Sequence, residues 1–169
     1  MAGVPLLVTA ELPPDILGWA DAMRSTHYPP ERNRLRAHVT LFHALPPSAE
    51  GEVRRLLADL AKATAPPEAQ VTGLMDLGTG TALDVRCEAL MVLHGELSER
   101  LHGLLTQQDE HRLRPHITVQ NKVDRATART LQAELSETLV LRIFRFRGFG
   151  LYGWEAGLWN PLAEYPFRG

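Results

Sequence analysis

Arg36-Ala37-His38-Val39-Thr40-Leu41 is answered 78 positions later by Arg114-Pro115-His116-Ile117-Thr118-Val119. Both stretches read Arg-x-His-(β-branched)-Thr-(aliphatic). Each follows an aperiodic polar segment, residues 27–36 and 107–114, and each opens a strand. In a strand, side chains at i and i+2 share a face. His38 and Thr40 therefore point one way while Val39 and Leu41 point into a core, and the second copy does the same. A motif repeated in matched context predicts a duplicated architecture.

The flanking pattern carries the same repeat. Residues 5–12 read as a buried strand closed by Pro13 and Pro14, and Pro14 opens a helix carrying Ile16, Trp19, Ala20 and Met23. After the first motif strand, Ser48 is placed to cap a helix with Val53, Leu56, Leu57, Leu60 and Ala61 on one face. Strands over 69–77 and 82–87 flank a Gly78-Thr79-Gly80 turn. Leu90, Leu93, Leu97, Leu101 and Leu104 mark the next helix, and the second motif strand runs over 116–123. Asp124 caps a helix with Ala128, Leu131 and Leu135, and residues 139–167 read as two strands and a turn. The order is β-α-loop-β-α-β followed by β-α-loop-β-α-β-β. This predicts an α+β fold built as a single bilobal domain over 1–169. Its pseudo-symmetric halves are about 1–80 and 81–169, with two antiparallel or mixed sheets, flanked by helices, around a central cleft.

A pseudo-twofold axis would turn the two His/Thr pairs toward each other. Two imidazoles with ordinary pKa values near 6.5 can serve as general base and general acid. Two threonine hydroxyls can donate to non-bridging phosphate oxygens. In-line displacement at phosphorus needs its attacking and leaving oxygens on opposite sides, which duplicated halves supply.

His38-Val39-Thr40-Leu41 and His116-Ile117-Thr118-Val119 resemble the paired His-x-Thr-x motifs of the two-histidine (2H) phosphoesterases. The chain is most similar to the bacterial 2′-5′ RNA ligase-like members, also over HYPPERNRLRAHVTLFHALPP, RPHITVQNKVD and LWNPLAEYPF. The resemblance implies a bilobal fold and a site that works without metal or other cofactor. It implies opening of an RNA 2′,3′-cyclic phosphate, or a small cyclic nucleotide, to a 2′-phosphate, with 2′-5′ RNA joining as the reverse reaction. His38 and His116 would be the acid/base pair, and Thr40 and Thr118 the phosphate holders. A basic residue shortly after the second motif is expected to bind phosphate, and Lys122 is the nearest candidate. Which histidine is the base, and which direction dominates, the motif leaves open. A nucleotide-binding module without catalysis, and a cyclic phosphodiesterase for a small molecule such as an ADP-ribose cyclic phosphate, stand as alternatives.

Arg36 and Arg114 are further candidates for holding phosphate, and Phe42, on the His38/Thr40 face of an ideal strand, for stacking on a base. Tyr28, Tyr152 and Trp154 read as core or rim residues at least as readily. His43, five positions after His38, falls on the opposite face of an ideal strand, and His94 and His102 lie on the leucine-rich helix. Lys122-Val123-Asp124 begins like an ATP-dependent ligase motif, but Arg125 stands where that motif has glycine. No phosphate-binding Gly-x-x-x-x-Gly-Lys-Ser/Thr loop is present.

Composition bounds the partners. The chain has 169 residues, 44% hydrophobic and 22% charged, which excludes collagenous, coiled-coil and fully disordered classes. Eighteen Lys and Arg against 20 Asp and Glu leave a net charge of −2. Proteins that grip long nucleic acid by its backbone carry a basic excess, so an RNA terminus or a small cyclic nucleotide is the expected partner. Cys87 is the only cysteine, so no intrachain disulfide can form, and no paired Cys/His spacing suggests zinc. With no basic n-region at its start and no apolar run of spanning length, the chain reads as a soluble cytoplasmic monomer.

Overall fold

The computed structural model describes residues 3–169. The elements run β1 (Leu6–Glu11), α1 (Pro14–His27), β2 (Val39–Leu45), α2 (Glu50–Ala63), β3 (Glu68–Asp76), β4 (Thr81–Arg86) and α3 (Glu88–Arg100). They continue with β5 (His116–Gln120), α4 (Arg125–Thr138), β6 (Ile143–Arg145), β7 (Gly148–Glu155) and β8 (Leu158–Pro166). Pro14 opens α1, and the Asp124 carboxylate caps α4 by accepting the Thr127 N–H at 2.7 Å. Ser48 does not cap α2. It lies in a 3-10 turn, Pro47–Ala49, that leads directly into the helix and satisfies its first amides by backbone geometry. The three-residue strand β6 was not expected, because a segment this short carries no readable alternation.

The α+β class holds, but the two expected sheets are one. Eight strands lie in the order β6-β3-β4-β5-β2-β1-β7-β8, and every pairing is antiparallel. The centre is the β2–β5 junction, where the only residues in register are Val39 and Ile117. On either side lies a four-stranded half, β2-β1-β7-β8 and β5-β4-β3-β6. These halves are not the two halves of the sequence. β3 comes from the first repeat but pairs with β4 of the second, and β7 comes from the second but pairs with β1.

The two motif strands also match in their register irregularities. On β2, Thr9 pairs with Thr40 and Val8 with Phe42, so Leu41 is an extra residue. On β5, Ala82 pairs with Thr118 and Thr81 with Gln120, so Val119 is an extra residue. A β-bulge thus follows each motif threonine at the same position. One apolar cluster joins Leu6, Val8, Val39, Leu41, Leu83, Ile117, Val119 and Leu151 with Ile16 of α1, Leu57 of α2 and Leu90 and Leu97 of α3. Ala128 and Leu131 of α4 are buried outside it, where that helix packs on β3. Among the described residues no helix is long and apolar enough to cross a membrane.

Candidate active site

The central register brings the two motifs together. With Val39 opposite Ile117, the antiparallel ladder sets His38 across from Thr118 and Thr40 across from His116. Directly opposed residues share a face, and their Cβ atoms lie roughly 5 Å apart. Val39 and Ile117 are buried in the core, and the four polar side chains, all half-buried, stand on the other face.

Each imidazole is set the same way. His38 Nδ1 lies 2.7 Å from the Arg36 carbonyl, and His116 Nδ1 lies 2.7 Å from the Arg114 carbonyl. A carbonyl only accepts, so Nδ1 carries the proton in both rings and Nε2 is left for a substrate. Burial pulls the His38 pKa down to about 4; the bond to Arg36 opposes the shift, and the charges of Arg24, His116 and His43 add to it. His38 is therefore neutral at neutral pH, with its Nε2 lone pair available.

A cavity of about 410 Å³ opens beside His38 and Thr118. Lys122 lines it, as do Asn121, Arg24, Arg32, Arg34 and the rings of Tyr28, Trp154 and Trp159. Lys122 adopts a left-handed backbone (φ 62°), uncommon for a residue with a side chain. Trp154 and Trp159 meet edge to face at 5.0 Å and close the β7–β8 hairpin end of the cavity. The buried Arg24 of α1 donates from Nη1 to the Thr118 carbonyl at 2.7 Å and from Nε to Asn33 Oδ1 at 3.1 Å. Its guanidinium lies over the Tyr28 ring, 4.4 Å from the centroid.

Three expected contacts fall elsewhere. Phe42 is fully buried and stacks on His94 at 4.8 Å, because the Leu41 bulge turns it away from the His38/Thr40 face. The Arg36 charge is felt by Glu11 and Tyr152, where it works against the upward push of burial on both pKa values. Arg114 lines a separate cavity of about 580 Å³ together with Arg86, Arg112 and Asp84. In both arginines it is the backbone carbonyl that serves the histidine two residues on.

The floor beside His38 was not anticipated. Continuing the Ala10–Val39 register puts Glu11 next to His38. Burial raises the pKa of the Glu11 carboxyl, and the Tyr152 hydroxyl donates to it at 2.6 Å. Burial and that carboxyl together hold the Tyr152 pKa well above its ordinary range. Arg24 had a sequence signal that went unread. It continues the Ile16, Ala20 spacing of the buried stripe of α1, where a charged residue needs a partner. Among the described residues no group of three or more His, Cys, Asp or Glu side chains is arranged to hold a metal ion.

A duplicated antiparallel α+β sheet, with a His-x-Thr motif from each repeat meeting at its centre, defines the two-histidine phosphoesterase class. The family model of the 2′-5′ RNA ligase superfamily matches residues 12–157, and the chain belongs to that superfamily, whose chemistry is phosphodiester processing. Among solved structures, TT0787 of Thermus thermophilus is similar with a TM-score of 0.70 at 18% identity, covering 98% of both chains. LigT of E. coli, in its complex with NADP+, is similar with a TM-score of 0.57 at 22% identity, covering 99% of both chains. A structure described as a phosphoesterase has a TM-score of 0.57 at 21% identity, covering 98% of this chain and 99% of its own. No curated protein matches at a significant level.

Proposed function

We propose that this protein opens 2′,3′-cyclic phosphates at RNA ends or on small nucleotides to 2′-phosphates, without metal, and can join RNA ends by the reverse reaction. The observation that carries the reading is the central register, which supports placing one phosphorus between His38/Thr118 and Thr40/His116. Thr40 and Thr118 hold the non-bridging oxygens, and His38 and His116 flank the in-line axis. His38, neutral at rest, takes the proton of the nucleophile. His116, entering the step as the imidazolium protonated on both ring nitrogens, gives its Nε2 proton to the leaving ribose oxygen and keeps the Nδ1 proton on the Arg114 carbonyl. Microscopic reversibility exchanges these roles in the joining direction. LigT has been crystallised with 3′-AMP, ATP and NADP+, which supports a nucleotide as the ligand here.

The 410 Å³ cavity lies on the His38 side and is far larger than an attacking water requires. Its aromatic rings suit a stacked base, and Arg32, Arg34 and Lys122 suit phosphate. These features favour a second nucleoside there, one whose 5′-hydroxyl replaces water in joining. The test is turnover of a nucleoside 2′,3′-cyclic phosphate and of a cyclic-phosphate-ended oligoribonucleotide in EDTA. Product 2′-phosphate formed by the wild type, and lost in His38→Ala plus His116→Ala, is the expected result. Full activity of that double variant would sink the assignment. ADP-ribose 1″,2″-cyclic phosphate, run in parallel, distinguishes an RNA end from a small-molecule substrate.

A further inference from the structure

The matched bulges reach beyond the motifs. After an ideal Thr40, His43 would point away from the site. The Leu41 bulge reverses that parity, because Phe42 now shares the core face of Val8 while Thr40 shares the face of Thr9. A second shift follows at His43-Ala44, between the buried Phe42 and Leu45, and His43 lies half-buried on the face of His38, close enough for its charge to act on that ring. Its counterpart in the second repeat is Asn121, three residues after Thr118 and likewise past a bulge, and Asn121 lines the cavity beside His38. The antiparallel β2–β5 register carries the chain after Thr40 past His116, so His43 lies on the His116 side.

This histidine is built in, not merely exposed. Its Nδ1 donates to Asp109 Oδ1 at 2.8 Å, and the backbone N–H groups of His43 and Ala44 donate to the same carboxylate at 2.9–3.3 Å. Asp109 is buried. Burial works to raise its pKa, but the His43 bonds prevail and hold the carboxyl below its ordinary range. The ring is thereby locked in one orientation, with 42% of the His43 side chain exposed and Nε2 directed outward as an acceptor in the neutral form. The segment that supplies Asp109 continues into Arg112 and Arg114, which line the 580 Å³ cavity. Asp84, the cross-strand partner of His116, lines it too. Neither His43 nor His116 lines that cavity, whose three arginines face Asp84 and Glu88, so the His116 side offers a fixed acceptor with open space and a small positive excess next to it.

We infer that His43 anchors a second nucleotide subsite on the His116 side, its Nε2 accepting a hydrogen bond from the 2′-hydroxyl of the ribose preceding the reacting end. Two strand steps separate it from Thr40, about 7 Å, comparable with the length of one nucleotide. Asp109 is the positioning residue for that ring. The inference rests on the proposed reaction for its kinetic readout.

The experiment compares two dinucleotides ending in a 2′,3′-cyclic phosphate, one with ribose and one with 2′-deoxyribose in the preceding nucleotide. For the wild type, kcat/KM favours the ribose form by about tenfold, the worth of one buried hydrogen bond. In His43→Leu the ratio falls to about one, whatever happens to the absolute rates. In His43→Gln, whose amide oxygen can accept, part of it returns. A ratio of one in the wild type, or an unchanged ratio in His43→Leu, overturns the inference. Should the wild type turn over neither substrate, the proposed reaction fails. The subsite is then read from the ratio of Kd values for the two dinucleotides carrying a 3′-phosphate, with the same outcomes deciding.

Discussion

His38 stands out at the residue scale, because burial pulls its pKa down to about 4. In the proposed reaction each motif histidine transfers a proton, so His38→Ala and His116→Ala should each lower kcat by roughly 10²–10⁴, measured on a nucleoside 2′,3′-cyclic phosphate with folding checked by circular dichroism. The burial that keeps His38 neutral sets a pH dependence. Its folded pKa of about 4 lies below the unfolded value near 6.5. Between these values the unfolded chain binds the proton more readily, so stability falls as pH drops from about 6.5 toward about 4. Thermal melting across that range should show the loss, and His38→Asn should reduce it. The acid limb of kcat/KM should fall near pH 4 when chemistry limits the rate; a limb near 6.5 would contradict the burial of His38.

At the scale of elements, the bulge and the α1–β5 joint do most to shape the cleft. Arg24 ties α1 to β5 through the Thr118 carbonyl. Arg24→Met leaves that acceptor and Asn33 unpaired, so a loss of about 1–3 kcal/mol is expected in urea denaturation. Removing this cation should also move the acid limb of His38 upward, which a purely structural loss would not do. On β7, a Cβ at Gly150 would collide with the Glu11 carboxyl and the Thr9 hydroxyl beneath the site. Gly150→Ala should therefore destabilise the protein by about 1–3 kcal/mol and disturb the floor beside His38, read as a lower denaturation midpoint. Sequence alternation located β2 and β5 but not their bulges. A bulge is a property of two strands in register, and Leu41 looks like any other core leucine until Thr9 and Val8 are set beside it. Phe42 and His43 were accordingly assigned to the wrong faces.

For the molecule as a whole, the exchange of β3 and β7 decides how it folds. The first repeat alone carries β1 without β7 and β3 without β4, leaving long edges unpaired and the apolar faces of both strands uncovered. A fragment covering residues 1–80 should stay unfolded by circular dichroism and amide dispersion, and the full chain should unfold in one cooperative transition. Independent folding of the fragment would contradict the interlocked topology. The interlocking also braces the β2–β5 junction, where a single residue pair is in register and where opposed His/Thr pairs require a fixed separation.

The sequence alone determined the α+β class, the element order apart from β6 and the presence of two His-x-Thr motifs, because each is written in local spacing: period two in the strands, period 3.6 in the helices, and one tetrapeptide used twice. Tertiary structure decided the rest. It made one sheet of two, moved Phe42 into the core and His43 onto the site face, and brought Arg24, Trp154 and Trp159 to the edge of the cavity beside His38. These outcomes depend on register and on which strands become neighbours. Neither is encoded within any single segment, since both arise only when distant strands satisfy one another's backbone groups and bury a shared apolar face.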